Sequence, residues 1–170
     1  MQKDELLDLV DGEDKVVGSM ERGEVYAKGL SNFRVINCFV KNSKGQIWVP
    51  VRQKNKRIFP NALDMSCGGH VSSGETYTEA FKKEMTEELN IDIEKMEYKL
   101  LGKCNPEKDG VSAFMEVYEI TSDEFPDFNP DDFQGCSWMY PQEIIFAIES
   151  GVAAKGDLPK LVSKFYLTKS

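Results

Sequence analysis

Glu84, Glu87 and Glu88 lie within little more than one turn of a stretch whose apolar spacing predicts a helix. Residues three and four apart on a helix are surface neighbours, so these carboxylates repel one another. Glu87 and Glu88 also fall in the last turn, where the helix dipole disfavours anions by a few tenths of a kcal/mol each. A cation among them would remove both costs, and a divalent metal held by oxygen ligands is the chemistry this pattern points to. The plain alternative is the solvated face of an amphipathic helix.

The local signals define the element that carries these groups. Thr76 followed by Glu79 forms a capping-box pair, and Phe81, Met85 and Leu89 make an apolar i, i+4, i+8 stripe beside the glutamate face. They predict a helix from about residue 77 to 89, ended by Asn90, which tolerates the left-handed conformation. Upstream stand Gly69 and a lone Glu75.

Residues 69–91, GHVSSGETYTEAFKKEMTEELNI, resemble the Nudix box, G-x5-E-x7-R-E-U-x-E-E-x-G-U with U a bulky aliphatic residue. Gly69, Glu75, Glu84, Glu87 and Glu88 match, and Met85 and Ile91 fill the U positions. Five fixed matches arise by accident on the order of once in a thousand sequences of this length, which argues against the solvated-face alternative. Lys83 replaces the arginine, keeping the charge but losing the planar fork that grips a carboxylate. Asn90 replaces the glycine.

The resemblance implies hydrolysis of a nucleoside diphosphate linked to another group, with Mg²⁺ or Mn²⁺ as cofactor. Glu84, Glu87 and Glu88 would be metal ligands, Glu88 or Glu87 would deprotonate the attacking water, and the Gly69 backbone carbonyl would be a further ligand. Glu75 would pair with Lys83 to hold the loop. His70, the only histidine, follows the loop glycine; it would either contact substrate phosphate or metal, or serve as a hydrogen-bonded structural residue.

A wider stretch, about residues 5–91, resembles isopentenyl diphosphate isomerase and its Nudix-hydrolase relatives, in the opening LLDLVD, the run VVGSMERGEVYAKGL and PNALDMSCGGHV. In that branch an arginine and a lysine four apart bind diphosphate, and Arg52 and Lys56 match in spacing. The isomerase cysteine position holds Gly68; Cys67 lies one residue earlier, which on an extended backbone turns its side chain to the opposite face. The metal-binding histidine of that branch is replaced by the Ser31 to Phe33 stretch, and its E-x-E pair by about Val111 to Ala113. A diphosphohydrolase is therefore favoured. An isomerase needing Cys67 and a nucleotide sensor without turnover are the alternatives.

The 170 residues, 41% hydrophobic, suffice for one domain, with 1–30 as an N-terminal hairpin extension and 69–91 as loop and helix. A net charge of −8 argues against bulk binding to nucleic acid or anionic membrane. An anionic small-molecule substrate would need a local basic patch, which Arg52, Lys54, Lys56 and Arg57 supply. Cys38, Cys67, Cys104 and Cys136 have no zinc spacing, Cys67 reads as a buried small residue, and a cytosolic protein with reduced thiols is expected. Whether the chain forms a homodimer is left open.

Turn signals place hairpins at 6–17 and 33–51, strands near 96–103, 111–121 and 136–139, and helices at 141–149 and 160–166. This order predicts an α/β Nudix fold, an α/β/α sandwich with a mixed β-sheet. Trp138 is expected to close the core. Phe59 and Tyr77 are candidates to stack on a base, and the acidic 123–132 segment reads as a solvated linker.

Overall fold

A computed structural model of the chain describes residues 4–168. Its main sheet is built from β3 (Arg34–Lys41), β4 (Ile47–Arg52), β5 (Cys67–His70), β6 (Tyr98–Cys104), β7 (Phe114–Thr121) and β8 (Phe133–Met139). The strand order is β6-β7-β3-β4-β8, with β5 also pairing to β3. β3 and β7 run parallel while the other pairs are antiparallel, so the sheet is mixed, as expected.

Side-chain alternation along β3 divides the core in two. Ile36, Cys38 and Val40 face a cluster with Phe81, Met85 and Leu89 of α2 (Tyr77–Leu89). Phe39 faces the other cluster, with Ile144 of α4 (Pro141–Glu149) and Leu158, Leu161 and Val162 of α5 (Asp157–Val162). Helices therefore cover both faces, giving the α/β/α sandwich. Burying three large α2 side chains contributes roughly 2 kcal/mol each, far more than the like-charge repulsion among the neighbouring glutamates removes.

The box helix has its expected limits and both reciprocal bonds of the capping box, and Asn90 closes it with φ 55°. β3 and β4 are paired only at Lys41 and Ile47 and then diverge. Fully buried Ser66 fills the split, accepting from the Val40 N–H (2.9 Å) and donating to the Trp48 carbonyl (2.6 Å). That wedge admits β5, a strand where the sequence suggested only a glycine turn.

The N-terminal extension, of which residues 1–3 lie outside the described residues, pairs β1 (Leu6–Val10) with β2 (Val16–Glu21). β2 is longer than expected and runs into α1 (Arg22–Ala27), which the sequence reading missed. A short α3 (Pro106–Asp109) precedes β7, whose first residue is Phe114 rather than 111. The last helix starts at Asp157, with Pro159 inside its first turn where no N–H is required.

The 123–132 segment is more than a solvated linker. Phe128 packs on Trp48 with ring centroids 5.8 Å apart, and the Asn129 N–H donates to the Glu88 carbonyl at 2.8 Å. Half-buried Trp138 packs against the same cluster. Tyr77 is buried and its hydroxyl donates to Asp14 (2.7 Å), which removes it as a stacking surface for a base.

Candidate active site

The last turns of α2 lie against β5, and this contact sets the chemistry. Glu88 Oε1 accepts from the Gly68 N–H at 2.9 Å and from the Cys67 thiol at 3.1 Å. Burial pushes its carboxyl up to about 7; the bonds from Gly68 and Cys67 hold the rise back. Glu84 lies one turn earlier, directly against the Gly69 backbone, and its carboxylate makes no hydrogen bond or ion pair among the described residues. Burial first, then the charges of Glu88 and Glu87, push it up to about 8.

Two partly buried carboxylates that are costly to ionise, set beside a bare backbone, form a strongly cation-seeking place. Their hard oxygen donors suit Mg²⁺ or Mn²⁺, which take one or two carboxylates and fill the remaining positions with water and phosphate. No three carboxylate, thiol or imidazole groups converge on one point among the described residues. Glu87 is exposed and lines a separate groove of about 920 Å³ with Lys82, Thr86 and Tyr98. Glu84 and Glu88 are therefore the pair brought together.

Gly69 is required by close approach. A methyl group there would overlap the Glu84 carboxylate, so Gly69→Ala is expected to displace Glu84 and weaken Mn²⁺ binding about 10- to 100-fold. Calorimetric titration of Mn²⁺ into the variant checks this; unchanged affinity would show that the Glu84 position is unimportant. On the other face of β5, a side chain at Gly68 would overlap Asn37, while fully buried Cys67 points into the α2 core with its thiol pushed well above its usual range by burial. The one-residue offset read from the sequence does reverse the face.

The connection from β5 to α2 is held by Glu75, whose Oε1 accepts from the Ser72 N–H at 2.8 Å and from Lys83 Nζ at 3.1 Å. Lys83 Nζ reaches Ser72 Oγ only at 3.4 Å, the single-point grip of an ammonium rather than a fork.

A cleft beside Gly69 has two connected parts of about 1060 and 410 Å³, sharing Tyr26, Arg52, Ile58 and His70. Arg52 lines both parts and is braced there. Its Nη1 pairs with Asp64 at 2.9 Å and its Nε donates to the Ile58 and Phe59 carbonyls. Lys56 pairs with Asp132 at 3.0 Å. Arg57 is exposed on the cleft and makes no ion pair among the described residues; Lys155, 4.0 Å from Asp64, borders the inner part.

His70 borders the cleft as a neutral ring, its pKa lowered to about 4 by burial. Its Nε2 is 2.7 Å from the Tyr26 hydroxyl, and it stacks on Phe33. Phe59 is exposed at the cleft wall. Tyr26 and Lys155 escaped the sequence reading because each reaches the site from an element far along the chain, and Asp64 because no spacing rule links it to Arg52, the partner it holds.

Comparison with known proteins agrees with this geometry. A family model described as the NUDIX domain matches residues 32–160. An uncharacterized Nudix hydrolase of Nostoc sp. is 52% identical over 98% of both chains. A Nudix hydrolase of Deinococcus radiodurans is 47% identical over 96% of this chain and 95% of its own. A Deinococcus radiodurans crystal structure superposes with TM-score 0.90 at 46% identity, covering 95% of this chain and 99% of that one. A MutT protein from Methanosarcina mazei shares the fold alone, with TM-score 0.61 at 19% identity over 78% and 91% of the two chains. A family match across most of the chain, near full-length relatives and a box helix seated on β5 together establish that this protein belongs to the Nudix hydrolases, a family that acts on diphosphate linkages with divalent metal ions.

Proposed function

We propose that the protein is a Mg²⁺-dependent diphosphohydrolase that cleaves the diphosphate of a nucleoside diphosphate derivative or related small molecule. The observation that carries this reading is the pair Glu84 and Glu88, both pushed up by burial and packed on the Gly69–Gly68 backbone with no cation of the protein's own between them. Glu84, Glu88 and the Gly69 carbonyl would hold the metal, while Glu87, exposed on a separate groove, stands outside that set. Mn²⁺ would be held by the same oxygens.

A bound divalent ion supplies neutralisation of phosphoryl charge and a more acidic water. The chain's residues do the rest. Glu88 Oε1 is engaged by the Gly68 N–H and the Cys67 thiol, which fixes the carboxylate and leaves Oε2 to accept the proton of the attacking water. Arg57 and Lys155 meet the substrate's negative charge, while Arg52 shapes the cleft through Asp64 and the 58–59 carbonyls. His70 lines its wall, and Lys56 is held by Asp132.

What favours hydrolysis over isoprenoid isomerisation is that the Cys67 thiol is fully buried, pushed well above its usual range and committed to Glu88 Oε1, so it is no free proton-transfer group. The test is a panel of nucleoside di- and triphosphates, dinucleotides, nucleoside diphosphate sugars, coenzyme A, isoprenoid diphosphates and 5′-triphosphorylated RNA, with and without Mg²⁺. Metal-dependent phosphate or nucleotide release is expected. A migrated double bond in an isoprenoid product without phosphate release would make the protein an isomerase. Metal-dependent binding with no turnover on any member would make it a sensor.

A further inference from the structure

The segment Ser72–Gly74, which links the Gly69 strand to the glutamate helix, is clasped by the N-terminal hairpin. The Leu6 carbonyl accepts from the Ser73 N–H at 2.8 Å, and Leu7 forms an antiparallel bridge with Ser72, so β1 lies alongside the loop as an added strand. Three hairpin carboxylates then reach across. Glu5 accepts from Ser72 Oγ at 2.6 Å. Asp8 accepts from Ser73 Oγ at 2.7 Å with one oxygen and from the Gly74 N–H at 3.0 Å with the other. Asp14 accepts from Tyr77 Oη at 2.7 Å and is itself held by Arg34 Nε at 2.7 Å.

Asp8 is the centre of this arrangement. It is 8% exposed, so its two bonds are shielded from water, and both end on the turn where Gly74 has φ +83°. The hairpin stands outside the 32–160 stretch that the family model matches, and the loop it holds is the one that Lys83 of α2, in place of a forked arginine, ties down through Glu75. An ammonium grips Glu75 at one point, which leaves the loop's orientation to be fixed by other contacts.

We propose that Asp8, supported by Glu5 and Asp14, is a positioning residue for the hydrolase centre, supplying through the N-terminal hairpin the loop rigidity that Lys83 alone does not. It touches neither substrate nor metal; it sets the Ser72–Gly74 path, and thereby where the Gly69 backbone meets Glu84. The inference rests on the metal-site reading given under Proposed function.

The test measures Mn²⁺ affinity without substrate by calorimetry, together with kcat and KM, for native protein, Asp8→Ala, Ser73→Ala and Asp8→Ala combined with Lys83→Arg. Asp8→Ala is expected to weaken Mn²⁺ binding about 10-fold and to lower kcat, with KM for the diphosphate substrate little changed. Ser73→Ala, which removes one hydroxyl and keeps the backbone bonds, is expected to give a smaller loss in the same direction. Lys83→Arg is expected to restore part of the lost Mn²⁺ affinity by giving Glu75 a fork. A melting temperature that falls in Asp8→Ala while Mn²⁺ affinity and kcat hold, or a loss that Lys83→Arg leaves untouched, overturns the proposal. If Asp8→Ala does not fold, an unchanged Mn²⁺ affinity in Ser73→Ala overturns it. Native protein that binds no Mn²⁺ and hydrolyses nothing would instead overturn the metal-site reading itself.

Discussion

Glu88→Gln is expected to lower kcat by about 10³-fold, the combined loss of a general base and of a charged metal contact. The amide oxygen can still accept from the Gly68 N–H and the Cys67 thiol, so the side chain stays in place and only its charge and basicity go. KM is expected to change by no more than a few fold, because Glu88 meets the attacking water rather than the bulk of the substrate. Glu87→Gln, at an exposed position outside the buried pair, is expected to cost at least tenfold less. Steady-state kinetics of the two variants with the best substrate decides between them. A Glu88→Gln enzyme within tenfold of native would remove Glu88 from the reaction.

The second large effect is on stability without metal. Glu84 and Glu88 have folded-state pKa values of about 8 and about 7, above the usual 4.5, so the folded protein binds these protons more tightly than the unfolded chain. The stability they contribute is fully present below about pH 4.5 and is lost as pH rises through 7 and 8. Each pKa unit corresponds to about 1.4 kcal/mol, and between pH 6 and pH 9 the two groups together traverse about three such units, a loss of roughly 4 kcal/mol. Metal-free protein is therefore expected to lose roughly 10 °C in Tm between pH 6 and pH 9. Saturating Mg²⁺ is expected to flatten that slope, because it binds the ionised pair of the folded state. Glu84→Gln is expected to raise the metal-free Tm at pH 9 above native while abolishing most of the Mg²⁺ response. Calorimetric scans across that range check all three; a metal-free Tm that rises with pH would contradict the burial of these carboxylates.

The parts of the molecule legible in the sequence are those written in short-range chemistry. The Thr76 and Glu79 cap, the Phe81, Met85 and Leu89 stripe and the Asn90 terminus each depend on neighbours within one or two turns, and the helix forms with those limits. Strand alternation and turn residues likewise gave the sandwich. β5 was hidden because its strand character comes from β3, some 30 residues earlier, and from Ser66 wedging β3 from β4. The charges in the Arg52 to Arg57 stretch looked like one basic patch, yet Arg52 is claimed by Asp64 and Lys56 by Asp132, partners that no spacing rule connects. The 123–132 segment looked solvated by composition, but Phe128 and Asn129 tie it to the core and to the end of α2. The Asp8 clasp was invisible for the same reason: an aspartate in an alternating strand reads as solvent-facing until the box loop is folded over it.

The most direct test of the hydrolase centre is to locate the metal. Crystals grown with Mn²⁺ and a non-hydrolysable diphosphate analogue should show an anomalous peak between the Glu84 and Glu88 carboxylates and the Gly69 carbonyl, with the diphosphate in the cleft beside Arg57 and Lys155. A peak elsewhere, such as the outer groove at Glu87, or no peak at saturating Mn²⁺, would contradict a metal site built on the buried pair.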